Sequence, residues 1–207
     1  MVMKPKFWNK GTLYLSKKDR ILKSIIDNYP NEYLSINNDY FNCLLKSIIG
    51  QQISVSAANS IKRRFFALKK NINPINFSTI KKKSLKNVGL SKQKISYINN
   101  IAKFFVKNKK FIKNINVCNQ IEIKEKLISV KGVGEWTTDM FLIFGLGNSD
   151  VFPRGDLGFL KAISINYKKK LPLTDKYLNS LCNRWSPYNS VATWYLWRSL
   201  DPIPVSY

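Results

Sequence analysis

Two short segments have residue types and spacing that could do chemistry. The first is Val130-Lys131-Gly132-Val133-Gly134-Glu135-Trp136, where two glycines flank a valine between stretches of helical periodicity. Both glycines can take positive φ and so allow a tight hairpin with no Cβ in the way. The hairpin amides and the N-terminus of the next helix would then converge on one spot suited to a phosphate oxygen. A plain inter-helix turn has the same Gly-x-Gly pattern. The second segment is Val151-Phe152-Pro153-Arg154-Gly155-Asp156-Leu157-Gly158, which sets one acid after a Pro/Gly loop and before an apolar helical pattern. By itself, Asp156 reads most simply as a helix N-cap.

The chain's 207 residues contain no histidine. A Ser-His-Asp triad, a Cys-His pair and any His-ligated metal are therefore excluded. Cys43, Cys118 and Cys182 are too scattered for a CxxC zinc site or an iron–sulfur cluster. Their odd, sparse number also argues against a secreted disulfide framework. Chemistry is left to a carboxylate, a lysine, a tyrosine or a thiol.

The charge balance names a class of partner. There are 35 Lys+Arg against 12 Asp+Glu, a formal charge of +23. Such an excess fits a polyanion, above all nucleic acid held through lysine–phosphate contacts. Lys, Asn and Ile dominate throughout, as AT-rich coding produces, so this drift accounts for part of the excess. Hydrophobic residues make up 44% and aromatics 13%, enough for a packed core and unlike a disordered basic tail. No apolar run approaches the roughly 18 residues of a membrane span, and the N-terminus lacks the apolar run of a signal peptide.

The elements that must hold the two segments are helical. Phe41, Leu44, Leu45, Ile48 and Ile49 share one face of a helix over Asp39–Ile49. Ser54 can cap a second helix, with Val55, Ala58, Ile61 and Phe65 aligned. Ser91 can cap a third, with Ile95, Ile98, Ala102 and Phe105 inward and lysines outward. Further helical patterns fall at about Ile121–Val130, Glu135–Leu146, Asp156–Asn166, Thr174–Arg184 and Tyr188–Leu200. Strand signals are almost absent. An all-α fold is expected.

Taken in order, five segments resemble one family. They are IIGQQISVSAANSI at 48–61, GLSKQKISYINNIAKFF at 89–105, VKGVGEWTTDMFLIF at 130–144, DVFPRGDLG at 150–158 and RWSPYNSVATWYLWR at 184–198. Hairpin, Pro/Gly loop and aspartate in that sequence are similar to the helix-hairpin-helix DNA glycosylase superfamily, in its DNA-3-methyladenine glycosylase II branch. The resemblance spans nearly the whole chain. It implies a two-lobed fold with the active site in the cleft between lobes. One lobe would run over about 39–146 with the hairpin at 127–140, and the other would join 1–38 to 147–207.

The resemblance also implies roles. The partner would be damaged double-stranded DNA, handled by a monomer away from membranes, wherever DNA lies (bacterial nucleoid or eukaryotic nucleus). Lys131, Gly132, Val133 and Gly134 would hold the DNA backbone. Gln52, or else Ile53, would fill the space left by the extruded nucleotide, although the Gln51-Gln52 pair could simply join two helices. Trp136 would offer an indole face to a cationic alkylated purine, with Trp185, Tyr188 and Trp194 as weaker candidates. Trp194 and Trp197 read more readily as core aromatics. Asp156 would stabilise the oxocarbenium-like sugar and orient water; Glu135 and Asp139 are competing acids.

Bifunctional relatives place a lysine where this chain has Trp136, and cluster-bearing ones have four C-terminal cysteines where it has only Cys182. A monofunctional hydrolase without metal or organic cofactor is therefore expected. The alternatives are the same scaffold acting on other damaged bases, or a non-catalytic DNA-binding module. Asp156 separates the last of these, because an acid on a phosphate-facing surface would only weaken binding.

Overall fold

Polar side chains set where many of the helices begin. The structure is a computed structural model describing residues 2–201. Its elements in chain order are β1 (Val2–Met3), α1 (Trp8–Lys18), α2 (Arg20–Asn28), β2 (Ile36–Asn37), α3 (Tyr40–Gly50) and α4 (Val55–Ala67). They continue through α5 (Lys82–Asn87), α6 (Lys92–Lys107), α7 (Lys109–Lys113), α8 (Gln120–Ile128) and α9 (Glu135–Phe144). The last are α10 (Leu157–Asn166), α11 (Asp175–Trp185) and α12 (Asn189–Arg198). The fold is all-α; β1 and β2 form only a two-residue antiparallel pair.

Asp39 accepts from the Asn42 amide at 3.1 Å, Ser54 from Ala57 at 3.3 Å and Ser91 from Lys94 at 3.1 Å. Each bond satisfies one of the four amides that a helix start leaves without a partner, and each is worth about 1 kcal/mol. The expected inward faces of the helices begun by Asp39 and Ser91 are buried throughout. On α4 only Ala58 and Phe65 are buried, and Val55 is exposed.

By its internal contacts the chain forms two units. Asp39–Phe141 makes one unbroken unit, and the segment up to Asn38 joins that from Leu142 onward to make the other. In the unbroken unit α3 is the core helix, with Phe41 edge-on to Phe105 of α6 at 5.5 Å. Burial pushes the Cys43 thiol up to about 12, so this cysteine fills space rather than reacts.

In the unit made from both ends, Trp8 of α1 stands perpendicular to Trp194 of α12 at 5.3 Å. Gly11 lets α1 approach α12: a Cβ there would lie 2.8 Å from Val191 Cγ2. Arg198 of α12 grips Glu32 through two bonds, at 2.6 and 2.9 Å.

Asp19 is the polar hub of this second unit. It caps α2 by accepting from Ile21 and Leu22, and its Oδ2 accepts from Tyr167 Oη at 2.8 Å, Trp185 Nε1 at 3.1 Å and Arg184 Nη1 at 3.2 Å. Burial pushes this carboxyl up. The bonds from Trp185, Tyr167, the Leu22 amide and Arg184 together outweigh burial and hold it below its ordinary 3.8. A depressed carboxyl contributes stability above its unfolded value and loses it as pH falls through the folded one. Asp19→Asn should therefore cost about 2–4 kcal/mol at neutral pH. In urea unfolding from pH 6 down to pH 2, part of the parent's acid-induced loss should vanish in the variant. Identical pH profiles would remove Asp19 from this role.

Candidate active site

The hairpin is built as a turn between α8 and α9. The Val130 amide donates to Leu127 at 3.0 Å, that of Val133 to Val130 at 2.9 Å and that of Thr138 to Gly134 at 3.0 Å. Only Gly132 needs the left-handed region, with φ of +104°; Gly134 does not share it. The expectation that both glycines would do so is corrected, because one reversal suffices to turn this chain. A Cβ on Gly132 would lie 2.1 Å from Tyr97 Cγ, whereas one on Gly134 would meet nothing within 4 Å.

The amides of Gly132 and Gly134 donate to no acceptor among the described residues, which leaves them for one from outside. Lys131 is exposed. Val133 differs from its expected role: its side chain is buried and its amide is already bonded, so it anchors the turn from within. Asp139 is buried and paired with Lys124 of α8 at 3.1 Å, which ties the two hairpin helices together and withdraws it from the competition with Asp156. Trp136, the second residue of α9, is partly exposed.

In the same unit, the turn between α3 and α4 carries Gln52 at φ +56°, one of three non-glycine residues with positive φ among the described residues. Such a backbone costs a side-chain-bearing residue about 1–3 kcal/mol. Gln52 and Ile53 are both exposed. Gln51 beside them is the residue that sequence reasoning missed. Its Nε2 donates to Gly132 O at 3.1 Å and to Thr137 Oγ1 at 2.8 Å, fastening this turn to the hairpin. These partners lie more than eighty positions along the chain, and no local pattern announces them.

Asp156 belongs to the other unit, behind a loop pinned at several points. The Asp150 carboxylate accepts from Ser186 Oγ at 2.7 Å and Asn189 Nδ2 at 2.6 Å, and the Val151 amide donates to Ser190 Oγ at 3.0 Å. Asp156 is buried, and it does cap α10, accepting from the Phe159 amide at 2.5 Å. The cap is half of the story. The same Oδ1 accepts from Trp197 Nε1 at 3.0 Å, and that indole is itself stacked on Phe144 at 5.9 Å. Trp197 is thus the core aromatic the pattern suggested, and it also fixes the carboxylate. Gly158 makes room, since a Cβ there would come within 3.2 Å of the carboxylate.

Trp185 does not serve as expected. It has no exposed surface, lies among Phe152, Phe159 and Tyr167, and spends its N–H on Asp19, so it has no face to offer a base. Tyr188 is half-buried, its ring 5.4 Å from that of Tyr14. Trp194 is a core residue.

Comparison with known proteins identifies the family. A model of the HhH-GPD superfamily of base excision DNA repair proteins matches residues 45–193. The DNA-3-methyladenine glycosylase of Saccharomyces cerevisiae is 33% identical, over 92% of this chain and 79% of its own length. A putative DNA-3-methyladenine glycosylase of Bacillus subtilis is 28% identical over 87% of this chain, which spans 66% of that relative. The solved 3-methyladenine DNA glycosylase of Schizosaccharomyces pombe, in complex with abasic DNA, superposes with a TM-score of 0.80. It covers 92% of this chain and 96% of its own at 25% identity.

Proposed function

The chain belongs to the HhH-GPD superfamily of base excision DNA repair proteins, and from that premise we infer that it is a DNA glycosylase excising alkylated purines by hydrolysis. The observation that supports this most is the buried carboxylate of Asp156, held by both a helix amide and the Trp197 indole. A pure binding module could use the cap and the indole bond, but a neutral acceptor would serve both without placing a negative charge that repels phosphate.

The target nucleotide must leave the stack, at a cost of a few kcal/mol that is lower for damaged bases. Gln52 fills the space it vacates. The open amides of Gly132 and Gly134, with Lys131 beside them, take a backbone phosphate, which fixes register without reading sequence. An alkylated purine is cationic, so the Trp136 face attracts it more than a neutral base, by about 0.5–2 kcal/mol. The same charge makes it a good leaving group and a strong general acid unnecessary. As the glycosidic bond lengthens, positive charge grows on the sugar. Asp156 stabilises it and orients the water that attacks C1′. Trp136 cannot form a Schiff base, so the strand is left with an intact abasic site. The protein works as a monomer, wherever the cell keeps its DNA.

Duplexes containing 3-methyladenine, 7-methylguanine, hypoxanthine or 8-oxoguanine test this reading. The alkylated purines should be released as free base, with no strand cleavage before alkali and no adduct trapped by borohydride. DNA binding without release of any base would leave a binding module, and a trapped adduct would make the protein a lyase.

A further inference from the structure

One face of α6 touches both of the turns just assigned to DNA. Lys94, Tyr97 and Asn100 follow at three-residue intervals and so lie along one side of the helix. Lys94 Nζ donates to Ile49 O at 2.7 Å and to Gln51 O at 2.9 Å, at the C-terminal end of α3, where carbonyls lack helical partners. The Tyr97 ring sits where a Cβ of Gly132 would be, and Asn100 Nδ2 donates to Lys131 O at 3.1 Å. Gln51 closes the loop by bonding to Gly132 and Thr137.

We propose that Lys94 and Gln51 are positioning residues for base extrusion: they lock the turn bearing Gln52 to α6 and to the hairpin, so that wedge and phosphate clamp move as one body. This rests on the wedge and hairpin assignments above. The physical need is stiffness. Prising a base step apart costs a few kcal/mol, and a wedge delivers that work only if its backing yields less than the stack does. A turn held only by its own backbone would recoil. Lys94 also differs in kind from the chain's many surface lysines. It is half-buried, its ammonium faces carbonyls rather than solvent phosphate, and burial holds its pKa below the ordinary lysine value.

The test compares Lys94→Met, Gln51→Leu and Lys94→Arg with the parent on duplexes carrying 2-aminopurine beside the lesion, whose fluorescence rises on unstacking. Both disruptive variants should lose about tenfold or more in the unstacking signal and in single-turnover excision of a paired lesion. Excision of a bulged, already unstacked lesion should suffer far less. Affinity for undamaged duplex and its salt slope should stay as in the parent, and Lys94→Arg should recover most of the loss. Equal losses on paired and bulged lesions would mean a general structural defect. A salt slope reduced by about one would mean a direct phosphate contact. Either result overturns the proposal, as does a parent that leaves the reporter stacked. Thermal unfolding checks each variant, and Lys94→Gln, whose shorter, uncharged amide can still donate, stands in if Lys94→Met does not fold. Were the parent to unstack DNA yet release no base, the glycosylase reading would fail while the reporter still decided the roles of Lys94 and Gln51.

Discussion

Asp156→Asn should lower single-turnover base release by about 10²–10³-fold while the protein stays folded and bound to DNA. Asparagine has nearly the same shape and can still accept from the Phe159 amide and the Trp197 indole, so the cap survives and stability should change by no more than about 1 kcal/mol. Only the negative charge, proposed above to stabilise the oxocarbenium-like sugar, is removed. DNA affinity should hold or rise, because an acid that repels phosphate has gone. The measurements are release of free base under enzyme excess and a parallel binding titration. A variant that excises at the parental rate would reduce Asp156 to a helix cap.

The two hairpin glycines should respond in opposite ways. Gly132→Val forces a branched side chain into a backbone at φ +104° and into the Tyr97 ring. Backbone strain and overpacking together predict a loss of about 2–5 kcal/mol, read as a lower urea midpoint. Gly134→Val meets no neighbour and an ordinary φ, so the fold should lose at most about 1 kcal/mol, chiefly from a poorer helix start. Its side chain would instead stand between the open amides and an approaching phosphate. Binding to every DNA sequence should weaken by about tenfold, without change in specificity. Equal stability losses for the two, or unchanged binding by Gly134→Val, would contradict the hairpin's role.

Local signals make much of the fold readable in the sequence. Asp39, Ser54, Ser91 and Asp156 each precede an apolar period, and each caps a helix. Where the buried stripe is narrow the pattern fails: α1 buries only Trp8, Gly11 and Leu15 among Asn, Lys and Thr, and its sequence carries no clear helical period. The candidate site was readable only as separate residues. That Gln51 bonds Gly132, that Trp197 holds Asp156 and that Trp185 is consumed by Asp19 are contacts between distant parts of the chain. An indole in sequence looks the same whether it stacks on a ligand or fills a core.

The unit that bears Asp156 joins two segments separated by more than a hundred residues, up to Asn38 and from Leu142 onward, and this bears on its assembly on the ribosome. Trp8 and Glu32 are made well before their partners Trp194 and Arg198. At about 5–20 residues per second the wait is on the order of ten seconds. Residues 39–141, by contrast, have every partner within their own unit already made when Phe141 appears. The hairpin therefore precedes the finished setting of Asp156 during synthesis. During the interval the apolar residues of α1 and α2 that pack on α12 lack that partner, the situation in which transiently exposed apolar surface favours aggregation.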